Sequence, residues 1–137
     1  MNDDPHRFAK LAGSHPDLTR AVRAVVLAMR ELGHHMIVTD GIRTISEQQA
    51  LYAKGRTAPG PIVTRADGIN VRSNHQPHND GKGHAVDCCF LVDGTPSWAE
   101  SNPWDRYGAL ARAVGLKWGG DWTTPDRPHI ELPEVIA

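Results

Sequence analysis

The feature that most constrains the fold is an apolar run in the second half of the chain, Ala85–Val92, with the sequence AVDCCFLV. Gly83 precedes this run and Asp93-Gly94 follows it, so residues that favour turns mark both of its ends. A short, continuous apolar run between turn signals predicts a buried central strand, followed here by a turn over 93–97. The rest of the domain must be arranged around this strand.

The first two elements predicted before this run are a helix and a strand. Residues Asp17–Leu32 carry apolar side chains at helical spacing. Ser14 or Asp17 is the predicted N-cap, and Pro16 fits the permissive first turn. The short segment His35–Thr39 contains β-branched residues and predicts a strand that follows the helix.

A capping-box pattern predicts where a second helix begins. Thr44 and Glu47 have the spacing at which each side chain can accept a hydrogen bond from the other residue's backbone N–H. This helix is expected to run to about Lys54 and to end at Gly55. Residues 56–83 are polar and rich in Gly, Pro, Asn and Asp. Because long loops in compact domains are usually functional or mobile, we expect this loop to influence specificity.

Three further elements are predicted after the central strand. A helix is expected to begin at Pro103 and to run to about Val114, with Ser101 or Asn102 as its N-cap. The remaining predicted strands are two short apolar segments, Leu116–Trp118 and Ile130–Leu132. This order of elements predicts an α+β fold in which helices flank a small antiparallel sheet. A chain of 137 residues is long enough for one such domain and too short for two.

Composition excludes several classes of protein. Fifteen Lys and Arg face sixteen Asp and Glu, for a formal net charge of −1. A protein that binds nucleic acid or an anionic membrane through charge needs a clear positive excess, so we expect neither partner. No window is apolar enough for a membrane span, and the polar start of the chain does not resemble a secretory signal. The adjacent Cys88 and Cys89 cannot join distant segments by a disulfide.

Asp87 is the first candidate for chemistry, because it interrupts the most apolar run of the chain. An unpaired carboxylate would be costly to bury there. Strand alternation places Asp87 on the same face as Ala85, whose small side chain leaves room for another group to approach. Asp87 is therefore expected either to form a structural ion pair or cap, or to take part in a functional site.

The last predicted strand carries a second group of polar residues. His129 and Glu131 share one face of that strand by alternation, and Asp126 lies three residues before His129. A lone histidine at a strand edge is more often structural than a ligand. Two histidines and one carboxylate with an open fourth position, however, are a common ligand set of hydrolytic zinc. A second carboxylate that does not bind the metal can then transfer the proton.

These motifs, in this order, resemble those of the M15 zinc peptidases, which include D-Ala-D-Ala carboxypeptidases and dipeptidases and the L-alanyl-D-glutamate endopeptidases of phage endolysins. The segments that carry the resemblance are Gly41-Ile42-Arg43-Thr44, Ser73-x-His75, Gly83-x-Ala85-x-Asp87, Trp118-Gly-Gly-Asp-Trp122 and Asp126-x-x-His129-x-Glu131-Leu132. The resemblance implies one catalytic domain over 1–137, with the fold of Hedgehog and DD-peptidase domains and no separate wall-binding module.

Carried over position by position, the resemblance implies that His75, Asp87 and His129 bind Zn²⁺. Asp126 matches the catalytic acid and base of the family. Arg43 matches an arginine that stabilises the oxyanion of the tetrahedral intermediate, a task suited to a fixed guanidinium group.

Two further residues are expected to line the substrate site. Ser73 matches a family residue that lines the site and contacts substrate. Trp122 follows two glycines, and we expect it either to pack against the core or to form a wall of the cleft.

The first metal ligand has two competitors, because the motif is interrupted here. Seven residues, Gln76–Lys82, separate His75 from Gly83, whereas the short form of the family motif has two. His78 lies in this insertion, and His84 follows Gly83. We favour His75, because alternation sends His84 to the strand face opposite the aspartate and His78 lacks the Ser-x-His context.

The implied function is hydrolysis of the stem peptide of bacterial peptidoglycan, at the L-Ala-D-Glu bond or, as the second choice, at a D-Ala-D-Ala bond. The resemblance predicts a monomeric phage endolysin that stays in the host cytoplasm until a holin releases it to the cell wall. One alternative is a zinc-holding interaction domain without catalysis, as in Hedgehog signalling proteins. Another is a thiol hydrolase that uses Cys88 or Cys89, although cysteine in an apolar strand is more often a small core residue.

Overall fold

The computed structural model describes residues 5–133, and no helix in that range is long and apolar enough to cross a membrane. The helices are α1 (Pro16–Glu31), α2 (Ile45–Ala53) and α3 (Trp104–Ala113). The strands are β1 (Met36–Asp40), β2 (Ala85–Val92), β3 (Thr95–Ser97), β4 (Lys117–Trp118) and β5 (His129–Glu131). Two 3₁₀ helices are Pro5–Leu11 and Gly119–Asp121. The predicted α+β fold is confirmed, and element ends differ from the prediction by about one residue, the usual uncertainty of such boundaries.

The sheet is antiparallel and is built on β2, as the apolar run predicts. β1 pairs with β2, β5 pairs with the first residues of β2, and β4 pairs with β5. β3 pairs with the last residues of β2. β2 therefore has hydrogen-bonded neighbours near both of its ends, and it is the strand that brings the other segments together.

One hydrophobic core lies between the helices and the sheet, and α1 contacts both α3 and β1. The buried residues of α1 are Leu18, Val22, Val25, Val26 and Met29. The buried apolar residues of α3 include Trp104, Tyr107 and Ala111. Cys88 and Cys89 of β2 are free thiols within this core, which agrees with their expected role as small packing residues.

The start of α1 differs from the prediction. Its N-cap is His15, whose Nδ1 accepts a hydrogen bond from the backbone N–H of Asp17 at 3.0 Å. The predicted caps Ser14 and Asp17 are therefore wrong, whereas Pro16 does occupy the first turn. Ser14 forms an isolated parallel bridge with Gly83, which holds its backbone outside the helix.

The second helix begins as predicted. The Thr44 hydroxyl accepts a hydrogen bond from the Glu47 N–H at 3.1 Å, and the Glu47 carboxylate accepts one from the Thr44 N–H at 3.0 Å. At the other end, Gly55 has a φ of +80°, and a Cβ there would lie 2.7 Å from the backbone nitrogen of Ile62. A glycine is therefore required where the long loop leaves the helix.

The predicted N-cap of α3 is also wrong. The N-cap position is Pro103, and no side chain forms a capping hydrogen bond there. The predicted cap Asn102 instead donates to the carbonyl oxygen of Ser97 at 3.2 Å and to its hydroxyl at 3.1 Å. Ser101 lies outside the helix as well. The Asn102 side chain thus ties α3 to β3 rather than capping the helix.

The segment after β2 is a hairpin, and the predicted turn over 93–97 is too long. Asp93 and Gly94 have φ values of 51° and 75°, which suits a tight two-residue hairpin turn. The chain then returns as β3, with Pro96 opposite Leu91. A proline is tolerated here because β3 lies at an edge of the sheet.

Candidate active site

Three of the predicted site residues meet on the sheet. Asp87 of β2 pairs with His129 of β5 and with Asp40 of β1, and His75 approaches from the loop before β2. Asp87 Oδ1 lies 3.4 Å from His75 Nε2 and 3.2 Å from His129 Nδ1. One ligand atom from each of the three residues lies within 4.8 Å of the other two. Two imidazole nitrogens and one carboxylate oxygen thus face a common point.

Backbone contacts around Gly41 hold His75 in place. The Nδ1 atom of His75 lies 2.8 Å from the carbonyl oxygen of Gly41, and the carbonyl of His75 accepts a hydrogen bond from the Arg43 N–H at 2.7 Å. A side chain at position 41 is excluded, because a Cβ there would lie 2.0 Å from the carbonyl oxygen of Lys10. Since Nδ1 is engaged by the backbone, His75 presents Nε2 to Asp87.

Glu131 holds His129 in a similar way. Glu131 Oε1 lies 2.7 Å from His129 Nε2, which confirms that these two side chains share a strand face. Asn74 Nδ2 donates to the other oxygen of Glu131 at 2.7 Å. Since Nε2 is engaged by this carboxylate, His129 presents Nδ1 to Asp87.

The surroundings of Asp87 show that the group formed by His75, Asp87 and His129 fits a metal ion. Its Oδ1 is buried and has no hydrogen-bond partner in the described part of the chain. Such an oxygen is costly to bury, and a cation bound between it and the two nearby imidazole nitrogens would satisfy it. Two imidazole nitrogens and a carboxylate oxygen are donors that Zn²⁺ and related divalent ions accept. The residues present therefore fit a divalent metal ion.

The charges of this group are coupled. Burial raises the pKa of Asp87, but the imidazoles of His129 and His75 outweigh burial and hold this pKa well below its usual range. Burial lowers the pKa of His129, but the carboxylates of Asp87 and Glu131 outweigh burial and raise it to about 9. Without a metal, a proton on His129 therefore balances the buried carboxylates. A bound cation would replace that proton, so metal affinity is expected to depend on pH.

Arg43 is fixed beside Asp87. Its Nε and Nη2 atoms donate to Asp40 Oδ2 at 2.9 and 2.5 Å, and its Nη1 donates to Gln48 Oε1 at 3.0 Å. Nη2 also lies 3.7 Å from Asp87 Oδ2. Gln48 is fully buried, and its amide nitrogen donates to the carbonyl oxygen of Ala66 in the long loop at 3.0 Å. The guanidinium is thus held on both sides, as a preorganised electrostatic group should be.

Asp126 lies at the edge of the group. Its Oδ2 is 3.9 Å from His129 Nδ1, and half of its side chain is exposed. Partial burial and the charge of Asp87 raise the pKa of Asp126, against the opposing effect of His129. Gly119 allows this arrangement, because a Cβ there would lie 2.3 Å from the Asp126 carbonyl oxygen. A carboxyl group in this position can exchange protons with the cleft.

The group opens into a cleft of about 470 Å³ that both Ser73 and Trp122 line. The Ser73 hydroxyl accepts a hydrogen bond from the His75 N–H at 3.2 Å. Trp122 is 39% exposed, and its ring centre lies 4.9 Å from that of His129. Of the two expectations for Trp122, the structure therefore favours a wall of the cleft over core packing.

The competing residues lie outside this group. His78 and His84 stack with ring centres 3.7 Å apart, and His84 Nε2 lies 2.8 Å from Asp80 Oδ2. Neither histidine belongs to the group that faces Asp87. Cys88 is fully buried, and burial raises its pKa to about 12, so its thiol stays protonated at neutral pH. The structure disfavours both the alternative ligands and a Cys88 nucleophile.

Sequence reasoning missed three residues that support the site. Asp40 and Gln48 hold Arg43, and Asn74 holds Glu131. Asp40 directly precedes the motif that contains Arg43, and Asn74 lies between Ser73 and His75. Their positions in the sequence could therefore have indicated a supporting role. Gln48 lies within α2, and its sequence context gives no sign that its side chain is buried against the loop.

The antiparallel sheet and the convergent histidines and aspartate define a class of protein, the metallohydrolases. Residues 67–132 match a family model, Peptidase_M15_4, that is described as D-alanyl-D-alanine carboxypeptidase. The chain is 32% identical over 128 residues to the peptidoglycan L-alanyl-D-glutamate endopeptidase CwlK of Bacillus subtilis strain 168, a match that covers 86% of this chain and 72% of CwlK. The chain therefore belongs to the M15 family of metal-dependent peptidases.

Solved structures agree with this assignment. The L-Ala D-Glu endopeptidase ChiX of Serratia marcescens matches with a TM-score of 0.69 and 25% identity, over 97% of this chain and 90% of ChiX. The vancomycin resistance D,D-dipeptidase VanXYg, in complex with a D-Ala-D-Ala phosphinate analog, matches with a TM-score of 0.59 and 17% identity, over 87% of this chain and 50% of VanXYg. The VanXYg likeness concerns the fold alone. The resemblance to the M15 peptidases is confirmed.

Proposed function

We propose that this protein is a zinc-dependent endopeptidase that hydrolyses the L-Ala-D-Glu bond in the stem peptide of peptidoglycan. CwlK and ChiX, which match most of the chain, are both named for cleavage between L-Ala and D-Glu. The cleft beside the His75, Asp87 and His129 group gives a peptide access to that group.

The proposed metal ligands are His75 Nε2, Asp87 Oδ1 and His129 Nδ1. Each of the two imidazoles is already turned toward Asp87, because its other nitrogen is engaged by Gly41 or by Glu131. When bound there, a divalent ion such as Zn²⁺ acts as a Lewis acid and makes water a nucleophile at neutral pH. The chain itself supplies the remaining functions.

Asp126 is the proposed carrier of the proton. Its half-exposed carboxyl group lies beside His129 at the edge of the cleft, where it can reach both water and a bound peptide. It would accept a proton from the attacking water and later donate it to the leaving amine. Its raised pKa brings it closer to the pH at which both steps are efficient.

Arg43 is proposed to donate hydrogen bonds to the carbonyl oxygen on which negative charge develops. Asp40 and Gln48 fix its guanidinium, so little reorganisation would accompany the reaction. Ser73 and Trp122 are proposed to contact the peptide from the cleft wall.

One observation carries this proposal, namely that the Asp87 oxygen between the two imidazoles is buried and accepts no hydrogen bond from any described residue. A structural ion pair would need only one imidazole, whereas two imidazole nitrogens face this oxygen. A domain that only held a metal would have no need of a half-exposed carboxyl group and a fixed arginine at the same cleft. Hydrolysis accounts for all of these features together.

The test is digestion of purified peptidoglycan, with mass spectrometry of the released fragments. We expect new L-Ala carboxyl ends and D-Glu amino ends, loss of digestion after treatment with a chelator, and recovery on addition of Zn²⁺. Release of D-Ala alone would instead support a D-Ala-D-Ala carboxypeptidase. The matched family model is described by that activity. Undiminished digestion by metal-free protein would contradict both activities.

A role in host lysis belongs to the same proposal. The segment Trp118–Trp122 is similar to that of phage endolysins, and we propose a monomeric enzyme that a holin releases from the host cytoplasm. The test is expression in a Gram-negative bacterium with and without a holin. We expect lysis only when the holin is present, and lysis without it would contradict this role.

A further inference from the structure

A hydrogen-bonded pair of side chains outside the three proposed ligands, a half-buried asparagine and a buried glutamate, connects the two halves of the centre. Glu131 is 5% exposed and both of its oxygens are occupied, one by His129 Nε2 and the other by Asn74 Nδ2, each at 2.7 Å. We infer that Asn74 and Glu131, which we call the Asn74–Glu131 clasp, orient His129 and set the affinity of the centre for its metal. This inference rests on the proposed metal centre.

The first step concerns the orientation of the His129 ring. A carboxylate can only accept a hydrogen bond from a ring nitrogen, so Glu131 keeps the proton of His129 on Nε2. The lone pair of the neutral ring then lies on Nδ1, which faces Asp87. A carboxylate behind a ligating histidine both fixes the ring and strengthens it as a ligand. Glu131 is therefore a positioning residue, and it acts through His129.

The second step concerns the link between distant segments. Asn74 precedes His75 in the loop, whereas Glu131 lies on the same strand face as His129. The hydrogen bond between Asn74 and Glu131 thus joins the segments that carry the two proposed histidine ligands.

The third step concerns the space that the clasp occupies. Ala85 lies directly opposite Glu131 across the pairing of β2 with β5. Side chains at opposite positions of an antiparallel pair stand on the same face, close to each other. The small side chain of Ala85 leaves room there for the Glu131 carboxylate, which explains why the chain can bury this charge beside Asp87.

The test is the affinity of Glu131→Gln for Zn²⁺, measured by competition with a chromophoric chelator. Glutamine removes the negative charge and has only one acceptor oxygen, so it cannot accept hydrogen bonds from both His129 and Asn74. We expect affinity to fall about 10- to 100-fold, the range found for outer partners of metal ligands. The matched control is Glu100→Gln, which changes an exposed carboxylate at a different groove and should bind Zn²⁺ like the wild type.

Asn74→Ala provides a second variant that leaves the contact between Glu131 and His129 in place. We expect a smaller loss of affinity than in Glu131→Gln, and we expect the double variant to bind no more weakly than Glu131→Gln alone. This non-additivity is the signature of two residues that act through one contact. Thermal unfolding of each metal-free variant separates a change in folding from a change in metal binding.

The outcomes distinguish this inference from the proposed function. If the wild type binds no divalent metal at the centre, the proposed function fails. If the wild type binds Zn²⁺ and folded Glu131→Gln binds it equally tightly, the clasp inference alone is wrong. If Glu131→Gln does not fold, full wild-type affinity in Asn74→Ala would overturn the role of the clasp.

Discussion

Two clusters of histidines within residues 5–133 differ in what they can do. The metal cluster consists of His75, Asp87 and His129, and the surface cluster consists of His15, His78, His84 and Asp80. In the metal cluster the histidine side chains are 3% and 7% exposed. In the surface cluster, His15 and His84 are 31% and 21% exposed. Residue composition alone would not separate them.

The two clusters differ in where their nitrogen lone pairs point. In the metal cluster, one nitrogen of each ring is held by the protein and the other faces Asp87 Oδ1. In the surface cluster, His78 and His84 stack in planes only 5° apart. Lone pairs lie in the plane of each ring, so stacked parallel rings cannot both direct one toward a single ion. Convergence imposed by the rest of the fold, rather than histidine content, makes a metal site.

The largest effect is expected in the metal cluster. His129→Ala removes one of three proposed ligands and leaves Asp87 without its nearer imidazole, so both metal and activity should be lost. The loss of metal affinity should exceed the effect of about 10- to 100-fold that is typical when a residue supporting a metal ligand is removed. Metal analysis by plasma mass spectrometry and an assay on peptidoglycan check this result. Full activity in this variant would contradict the conclusion that the metal cluster, and not the surface cluster, binds the metal.

The next effect separates binding of the metal from chemistry. Asp126→Ala should lower turnover by about 10²- to 10⁴-fold, the usual contribution of a general acid or base, and leave metal content unchanged. Turnover and metal content are measured on the same preparation. If metal is lost as well, Asp126 has a structural role in the metal cluster.

Arg43→Ala should lower turnover by about 10²- to 10³-fold, because it removes a preorganised donor near the reacting group. The matched control is Arg106→Ala, which removes an exposed arginine that lines a different groove. Steady-state kinetics on a defined muropeptide check the prediction. Equal rates for the two variants would show that Arg43 does not stabilise the transition state.

Changes in the surface cluster should have little effect on function. His78→Ala and His84→Ala are expected to retain one metal ion per chain and turnover within about twofold of the wild type, since surface substitutions are usually mild. Metal content and turnover are measured as for His129→Ala. Loss of the metal in His78→Ala would indicate that His78, in the surface cluster, is a metal ligand.

The smallest effect is a change in the pH dependence of stability. Burial and the neighbouring His84 lower the pKa of His78 in the folded protein. Near the unfolded pKa of about 6.5, the unfolded chain therefore binds more protons at His78, and this residue makes stability fall as the pH decreases. When the pH is lowered from 7.5 to 5.5, the change in thermal stability should be more favourable in His78→Ala than in the wild type. An unchanged slope would contradict the lowered pKa.

Local sequence signals predicted most of the fold. The apolar run of β2, the helical spacing of α1 and the capping box of Thr44 and Glu47 depend on neighbouring residues alone. The errors arose where a partner outside the helix decided the outcome. Asn102 bonds to Ser97 instead of capping α3, and Ser14 pairs with Gly83 instead of capping α1.

The sequence by itself determined the chemistry that is available: Asp87 in an apolar strand, His129 and Glu131 on one strand face, and Asp126 three residues before His129. These relations follow from the period of a strand and from short spacing, so they need no knowledge of the fold. Only the tertiary structure decided that His75, and neither His78 nor His84, faces Asp87. The direction of the His75 lone pair depends on a hydrogen bond to Gly41 in a distant segment, and no local pattern encodes such a contact. The contact of His129 with Glu131, two residues away, follows instead from strand alternation.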